Sequence, residues 1–270
     1  MGCFPVPQRI DSLSNPHLKK LKRLHRVHTD QRQFLVEGTH LVTEAIRMQW
    51  HLESVYYTDD WLQSNASLLQ TALDSMEQYQ VAPRWLRQAA TTEHPDGILA
   101  VANLPDEKAC ELSHNSKDWS LTIAADGVQD PGNAGTLLRM AVATGANRLF
   151  LSPDSVSPIH PKMLRSTAGQ WFRSPPQAIS MEVLISHAKK LGVRVLVADM
   201  RGEPIWDIDL RVPTLFVVGN EGSGVRPETK RMADAICTVP MASGVESLNV
   251  ASAGTILLYE TLRQRNLAQV

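Results

Sequence analysis

Apolar residues occur in short blocks, and the spacing inside each block separates helix from strand. Leu18, Leu21, Leu24 and Val27 recur at helical spacing with Lys and Arg between them, behind an Asn15-Pro16 pair suited to N-cap and first helical position. This predicts a basic amphipathic helix. Phe34-Leu35-Val36 reads as a strand, followed by Gly38 and a helix through Leu41, Val42, Ala45 and Ile46. Residues 54–58 predict a strand, 60–73 a helix and 98–102 a strand. A polar stretch without periodicity, 105–118, reads as a linker. Beyond it come strand 121–125, a helix from Leu137 to Ala146, strand 148–151, a helix near 181–191, and strands at 193–198, 215–218 and 235–239. A last helix covers 249–265. Strands alternating with helices predict a parallel sheet covered on both faces. The expected organisation is a small α/β domain over 1–104, a linker over 105–118 and a larger α/β domain over 119–270.

Composition narrows the class. Of 270 residues, 43% are hydrophobic and 20% charged, which excludes a disordered or collagen-like chain. No apolar run approaches the roughly 20 residues of a membrane span, and the first residues lack the charged lead and apolar core of a secretory signal. The expectation is a cytoplasmic protein that engages no membrane. Cys3, Cys110 and Cys237 form no CxxC pair, and the nine histidines form no HExxH, so no metal site is expected. The net charge of −1 conceals an uneven distribution: residues 1–32 carry seven basic and two acidic side chains, residues 33–104 three basic and nine acidic. The N-terminal run could contact phosphates, although a solvated helix face is the commoner use of one charge run.

Three glycine-rich turns carry the candidate chemistry, each after an expected strand: Asp126 to Gly135, leading to a helix with Arg139; Gly219 to Gly224; and Val239 to Asn249, which opens the last helix. In open parallel sheets ligands bind outside the C-terminal strand ends, where three such turns could build one site. None is a GxGxxG fingerprint or a Walker lysine loop, and there is no GxSxG elbow. Glycine after a strand is by itself ordinary loop chemistry. The polar residues on the turns, Asn133, Arg139, Asn220, Glu221, Ser247 and Asn249, raise the case for a ligand site.

Together the turns resemble the three signature motifs of the SpoU family of RNA ribose methyltransferases, in the SPOUT superfamily. The matching residues are Asn133-Ala134-Gly135 with Arg139, Gly219-Asn220-Glu221-Gly222, and Pro240-Met241 with Ser247-Leu248-Asn249. The stretch Lys162 to Pro175, with Arg165, is similar to the loop between motifs. Asn15, the basic helix and Phe34 to Gly38 are similar to the ribosomal-protein-like substrate-binding domain of many members. The resemblance implies a SPOUT α/β domain with a deep trefoil knot and a parallel sheet, a homodimer, and S-adenosylmethionine as cofactor. It implies methylation of a ribose 2′-hydroxyl, in rRNA rather than tRNA; a tRNA methyltransferase and an RNA-binding protein with an inactive site are the alternatives. By resemblance, Val218, Gly219, Asn220, Gly222, Val239, Met241, Ser247, Leu248 and Asn249 hold the cofactor. Arg139, Asn133, Glu221, Ser247 and Asn249 form the catalytic set. Lys19, Lys20, Lys22, Arg23, Arg26 and Arg165 meet RNA. Arg139 is either the base or a phosphate clamp. A guanidinium releases its proton only far above neutral pH, so the clamp is the less demanding role.

Overall fold

The computed structural model describes residues 8–12, 14–26, 32–70, 76–105 and 112–267. They fall into two compact units. One comprises the described residues of Met1–Asp106 together with Ile159–Phe172; the other comprises those of Glu107–Pro158 and Arg173–Val270.

The first unit is a five-stranded sheet of β1 (Gln8–Ile10), β2 (Gln33–Glu37), β3 (Leu52–Tyr57), β4 (Glu77–Val81) and β5 (Ile98–Asn103), with helices α1 (Pro16–Arg23), α2 (Thr39–Arg47), α3 (Asp59–Gln70) and α4 (Pro83–Ala89). The strand order is β1-β4-β3-β5-β2; β1 and β3 run parallel to β4, and β5 is antiparallel to β2 and β3. Asn15 caps α1 by accepting from the His17 N–H at 2.9 Å, as the Asn-Pro pair predicts. Side-chain alternation divides the sheet. Leu35, Tyr56, Tyr79, Val81, Leu99 and Val101 pack with Leu18, Leu21, Leu86 and Ala89 of α1 and α4. The opposite parity meets other partners: Phe34 lies against Trp171, with ring centroids 4.8 Å apart, and Tyr57 against Trp61 of α3 at 6.0 Å.

Three elements in the Met1–Asp106 part of this unit were not expected. β1 is only three residues long, β4 alternates Gln with Tyr and Val, and α4 is seven residues behind a proline. Such short elements form through their neighbours rather than through their own periodicity. α3 breaks its helical geometry at Asn65, and the last expected residues of that helix, 71–73, lie outside the described residues.

The second unit is a six-stranded sheet of β6 (Leu121–Asp126), β7 (Arg148–Leu151), β8 (Gln177–Ala178), β9 (Arg194–Pro204), β10 (Thr214–Gly219) and β11 (Ala235–Thr238), in the order β11-β9-β10-β6-β7-β8. Every pairing is parallel. The helices are α5 (Pro131–Ala143), α7 (Met181–Lys190), α8 (Pro227–Met232) and α9 (Val250–Leu267); α6 (Pro161–Ser166) belongs to the first unit and packs on β2. On one sheet face Ala124, Phe150, Val195, Val197, Leu215 and Val217 pack with Leu184, Ile185 and Ala188 of α7. On the other, α5 and α9 approach closely: a Cβ on Gly254 would stand 2.3 Å from Leu137 and 3.2 Å from Ile123. The parallel sheet covered on both faces is therefore present.

Several boundaries differ from those read in the sequence, among them β9, which runs on to Pro204 rather than ending at Ala198. α5 starts at Pro131 and ends at Ala143, so Asn133-Ala134-Gly135 lie inside its first turns rather than before them. Asp130 is the N-cap, accepting from the Asn133 N–H at 2.9 Å, with Pro131 at the first helical position. This is the same device as Asn15-Pro16. Residues 112–118 of the expected linker fold onto the second unit: Ser113 O accepts from Trp119 Nε1 and from His187 Nε2, each at 2.9 Å. Finally, Ile159–Phe172, read as part of the C-terminal domain, packs within the N-terminal unit, because Met163, Leu164 and Trp171 are apolar side chains buried there.

Candidate active site

The C-terminal ends of β6 and β10 are joined through a buried charge. Asp126 closes β6 with a side chain that has no solvent exposure. A buried carboxylate needs a partner, and Arg226 supplies it. Its Nε donates to Oδ1 at 2.8 Å, its Nη2 donates to the same oxygen, and its backbone N–H donates to Oδ2 at 3.2 Å. Arg226 Nη2 also lies 3.4 Å from Asp154, beyond β7. The Ser152 hydrogen bond, aided by that guanidinium, holds the Asp154 carboxyl below the usual range against the opposing effect of burial. The Gly127 N–H donates to Ser152 Oγ at 2.8 Å and Ser155 Oγ at 3.1 Å.

The turn after β10 is closed by reciprocal backbone hydrogen bonds between Asn220 and Gly224, at 3.1 and 2.9 Å. Asn220 Oδ1 accepts from the N–H groups of Gly222 and Ser223, and Asn220 Nδ2 donates to Gly127 O at 2.8 Å. The second turn is thereby tied to the first. Gly219 admits no side chain, since a Cβ there would lie 2.1 Å from the backbone of Gly224 and Val225.

A polar chain then links all three turns. Glu221 accepts from Asn133 Nδ2 at 2.9 Å, from the Asp130 N–H at 3.2 Å and from the Gln129 N–H at 3.3 Å. Asn133 Oδ1 accepts from Asn249 Nδ2 at 2.9 Å, and Asn249 Oδ1 caps α9 through the N–H groups of Ala251 and Ser252. Partial burial alone would raise the Glu221 carboxyl; the hydrogen bonds from Asn133 and the backbone outweigh it and hold the group below its usual range. Glu221 also places negative charge at the N-terminus of α5, where the helix dipole favours it.

The SpoU rRNA Methylase family model matches residues 120–259, which contain all three turns. The chain belongs to the SpoU family. A second model, the MRM3-like substrate binding domain, matches residues 15–100. An uncharacterised tRNA/rRNA methyltransferase of Synechocystis sp. is 33% identical over 95% of this chain and 94% of its own. The 23S rRNA (guanosine(2553)-2′-O)-methyltransferase RlmP of Bacillus subtilis is 31% identical over 93% and 98%. The crystal structure of the SpoU methyltransferase AviRb from Streptomyces viridochromogenes in complex with AdoMet superposes with a TM-score of 0.82, at 27% identity over 93% of this chain and 98% of that one.

Of the SpoU motif residues, Asn133, Asn220, Glu221 and Asn249 are brought into the network. Arg139 is not: it is exposed on α5 and has no hydrogen bond or ion pair among the described residues. Ser247 is likewise exposed and outside the network. Val218 is buried near the end of β10, and Gly222 is exposed in its turn; Val239, Met241 and Leu248 are half-buried. From Pro240 to Leu248 the described chain makes one backbone hydrogen bond, Val245 N–H to Ala242 O at 3.3 Å, so most N–H and C=O groups there remain free for a ligand. With apolar Met241 and Leu248 along it, and tied through Asn249 to Asn133, this loop fits an adenosine held by backbone polar groups.

The expected RNA-binding residues separate. Lys19, Lys22, Arg23 and Arg26 are exposed on or just after α1, whereas Lys20 is ion-paired with Glu53. Arg165 donates to Thr91 Oγ1 at 2.7 Å and lies 3.6 Å from the buried Glu37 carboxylate, so it fastens α6 within the N-terminal unit. Arg226, Ser152 and Ser155 escaped the sequence reading, and Asp126 entered it only as the start of the first turn, without a role. The available signal was Asp126 itself, a carboxylate ending an otherwise uncharged, largely apolar strand, which demands a cation from elsewhere in the chain. Among the described residues no helix is long and apolar enough to cross a membrane, and no group of three or more His, Cys, Asp or Glu could hold a metal ion.

Proposed function

We propose that the chain transfers the methyl group of S-adenosylmethionine to a ribose 2′-hydroxyl of ribosomal RNA. The observation that carries this reading is the Glu221–Asn133–Asn249 chain, which joins all three SpoU turns while Arg139 stays unpaired on the helix they anchor. The Bacillus relative is named for 2′-O-methylation of a guanosine in 23S rRNA, and AviRb is seen with AdoMet bound. The first supports an rRNA ribose as acceptor rather than tRNA, and the second supports the cofactor. The 2′-hydroxyl also restricts the substrate to RNA.

The cofactor supplies a methyl group already activated by its sulfonium, so the protein's work is alignment and management of the hydroxyl proton. In this reading the backbone around Gly219, Asn220, Gly222, Val239 and Leu248 holds the adenosine, with Val218, Met241 and Leu248 giving apolar contact. Asn133, Glu221 and Asn249 fix the start of α5 and so the direction in which Arg139 is presented. Ser247, exposed beside them, contacts the ribose. Arg139 grips a phosphate and steadies the oxygen while water accepts its proton; an exposed, permanently charged guanidinium suits that role better than accepting the proton.

A homodimer, the knot and a cytoplasmic location complete the reading. α9 exposes Ile256 and Tyr259, apolar side chains that a second copy would cover, and sedimentation should report twice the chain mass. The strand order, with β11 beyond β9 and α9 returning to pack on α5, is compatible with a chain that passes through its own loop.

The test is methyl transfer from labelled S-adenosylmethionine to deproteinised rRNA and, separately, to tRNA, both from cells lacking this protein. Label should enter rRNA with the unaltered protein and not with Arg139→Ala. Label entering tRNA alone would overturn the choice of substrate.

A further inference from the structure

The N-terminal unit sorts its helix charges by sheet face. α1 and α4 pack together on one face, where His25 Nε2 donates to Ala89 O at 2.6 Å. Their sequences, PHLKKLKR and PRWLRQA, hold six basic residues and no carboxylate. α2 and α3 carry Glu44, Asp59 and Asp60 against Arg47 alone, and Arg47 donates to Glu44 at 2.9 Å. Of the basic set on α1 and α4, Lys20 is the one with a carboxylate partner among the described residues. Lys19, Lys22, Arg23, Arg84 and Arg87 are exposed without one, as is Arg26 just past α1.

Local helix physics explains part of this. Lys20, Lys22 and Arg23 lie in the last turn of α1, where the dipole favours cations. It does not explain Arg84, in the first turn of α4, where a cation is disfavoured. Arg84 instead lies over the Trp85 ring, its guanidinium carbon 4.4 Å from the centroid, and Trp85 is anchored against the core cluster beneath α1 and α4. A stacked guanidinium has already lost much of its side-chain freedom, so binding a ligand orders it at less cost.

We propose that the Arg84–Trp85 pair of α4 is a second RNA contact, acting with Lys19, Lys22, Arg23 and Arg26 to hold the phosphate backbone across two helices. The proposal rests on the RNA methyltransferase reading above and extends it beyond the basic run of α1. Trp85 acts as a positioning residue: it presents Arg84 and carries no charge of its own.

The experiment is binding of the full chain to in vitro-transcribed 23S rRNA across a series of salt concentrations. Arg84→Gln should weaken binding about three- to tenfold at low salt and reduce the slope of log affinity against log salt by about 0.7–0.9, the loss of one phosphate contact. Trp85→Leu should weaken binding in the presence of Arg84 and have no further effect when Arg84 is already Gln. Arg84→Lys should restore the slope with only part of the affinity. Unchanged affinity and slope in Arg84→Gln, with both lowered in a Lys22→Gln/Arg23→Gln protein, would overturn the α4 contact and leave the methyltransferase reading standing. Absence of any salt-dependent rRNA binding by the unaltered chain would overturn both.

Discussion

The tips of β6 and β10 and the outer side of α1 and α4 are both rich in polar side chains, and they use them in opposite ways. At the strand tips the polar groups satisfy one another: Glu221 with Asn133, Asn133 with Asn249, Asn220 with Gly127, and Asp126 with Arg226. On α1 and α4 every cation but Lys20 is left without a carboxylate partner among the described residues. The closed network presets a geometry before any ligand arrives, which transfer chemistry requires. The open face leaves its charges to be matched by a polyanion, so its affinity is set by the ligand and by salt. Arg139 combines both behaviours, being unpaired itself but mounted on a helix that the network holds.

Five variants test that contrast. Arg139→Ala should reduce methyl transfer by about 10²–10³-fold, with S-adenosylmethionine affinity within a few-fold of the unaltered protein. Arg139→Lys separates its two roles, since activity recovered at raised pH marks a base and loss at every pH marks the clamp. Arg226→Met should be the most damaging to stability. It strands a fully buried Asp126 carboxylate, at a cost of about 2–4 kcal/mol in chemical denaturation, toward the lower end because Arg226 is itself partly solvated.

Glu221→Gln should cost less, about 1 kcal/mol at neutral pH given its exposure. The sign of its pH dependence follows from the lowered carboxyl. The stabilisation is complete above the ordinary carboxylate range and is lost as pH falls through the lowered folded value, so the gap between variant and unaltered protein should close in acid. On the open face, Lys22→Gln/Arg23→Gln should shift stability by less than about 0.5 kcal/mol while weakening RNA binding. A large stability loss there would mean that the cations are structural after all.

Much of the fold was legible because it is written in local periodicity. The apolar runs that yield β6, β7, β9 and β10 are nearly unbroken, as strands covered on both faces require, and Leu18, Leu21 and Leu24 mark the buried side of α1. What was not legible depends on partners distant in the chain. Arg226 reaches back across a hundred positions to Asp126, and no spacing rule connects them. β4 is held by parallel neighbours on both sides rather than by its own Glu-Gln-Tyr-Gln-Val pattern. Counting charge by segment was misleading in a different way. Residues 33–104 read as acidic, yet two of their three basic residues stand on α4, which folds against α1. The site residues were recognised as types, but their division of labour was not: Glu221 and Asn249 turn out to brace helix starts, a role visible only once α5 and α9 have their ends.

The placement of Ile159–Phe172 bears on how such a protein can be inherited. This stretch lies inside the part of the chain matched to the methylase family, yet its Trp171 packs on Phe34 and its Arg165 faces Glu37. The N-terminal unit is thus not a cassette that recombination can lift out at one junction. A chimera that takes residues 1–104 from a relative and keeps the native 159–172 would pair mismatched surfaces and lose soluble yield. Moving both segments together would restore it, so the two stretches form one heritable module encoded in two places.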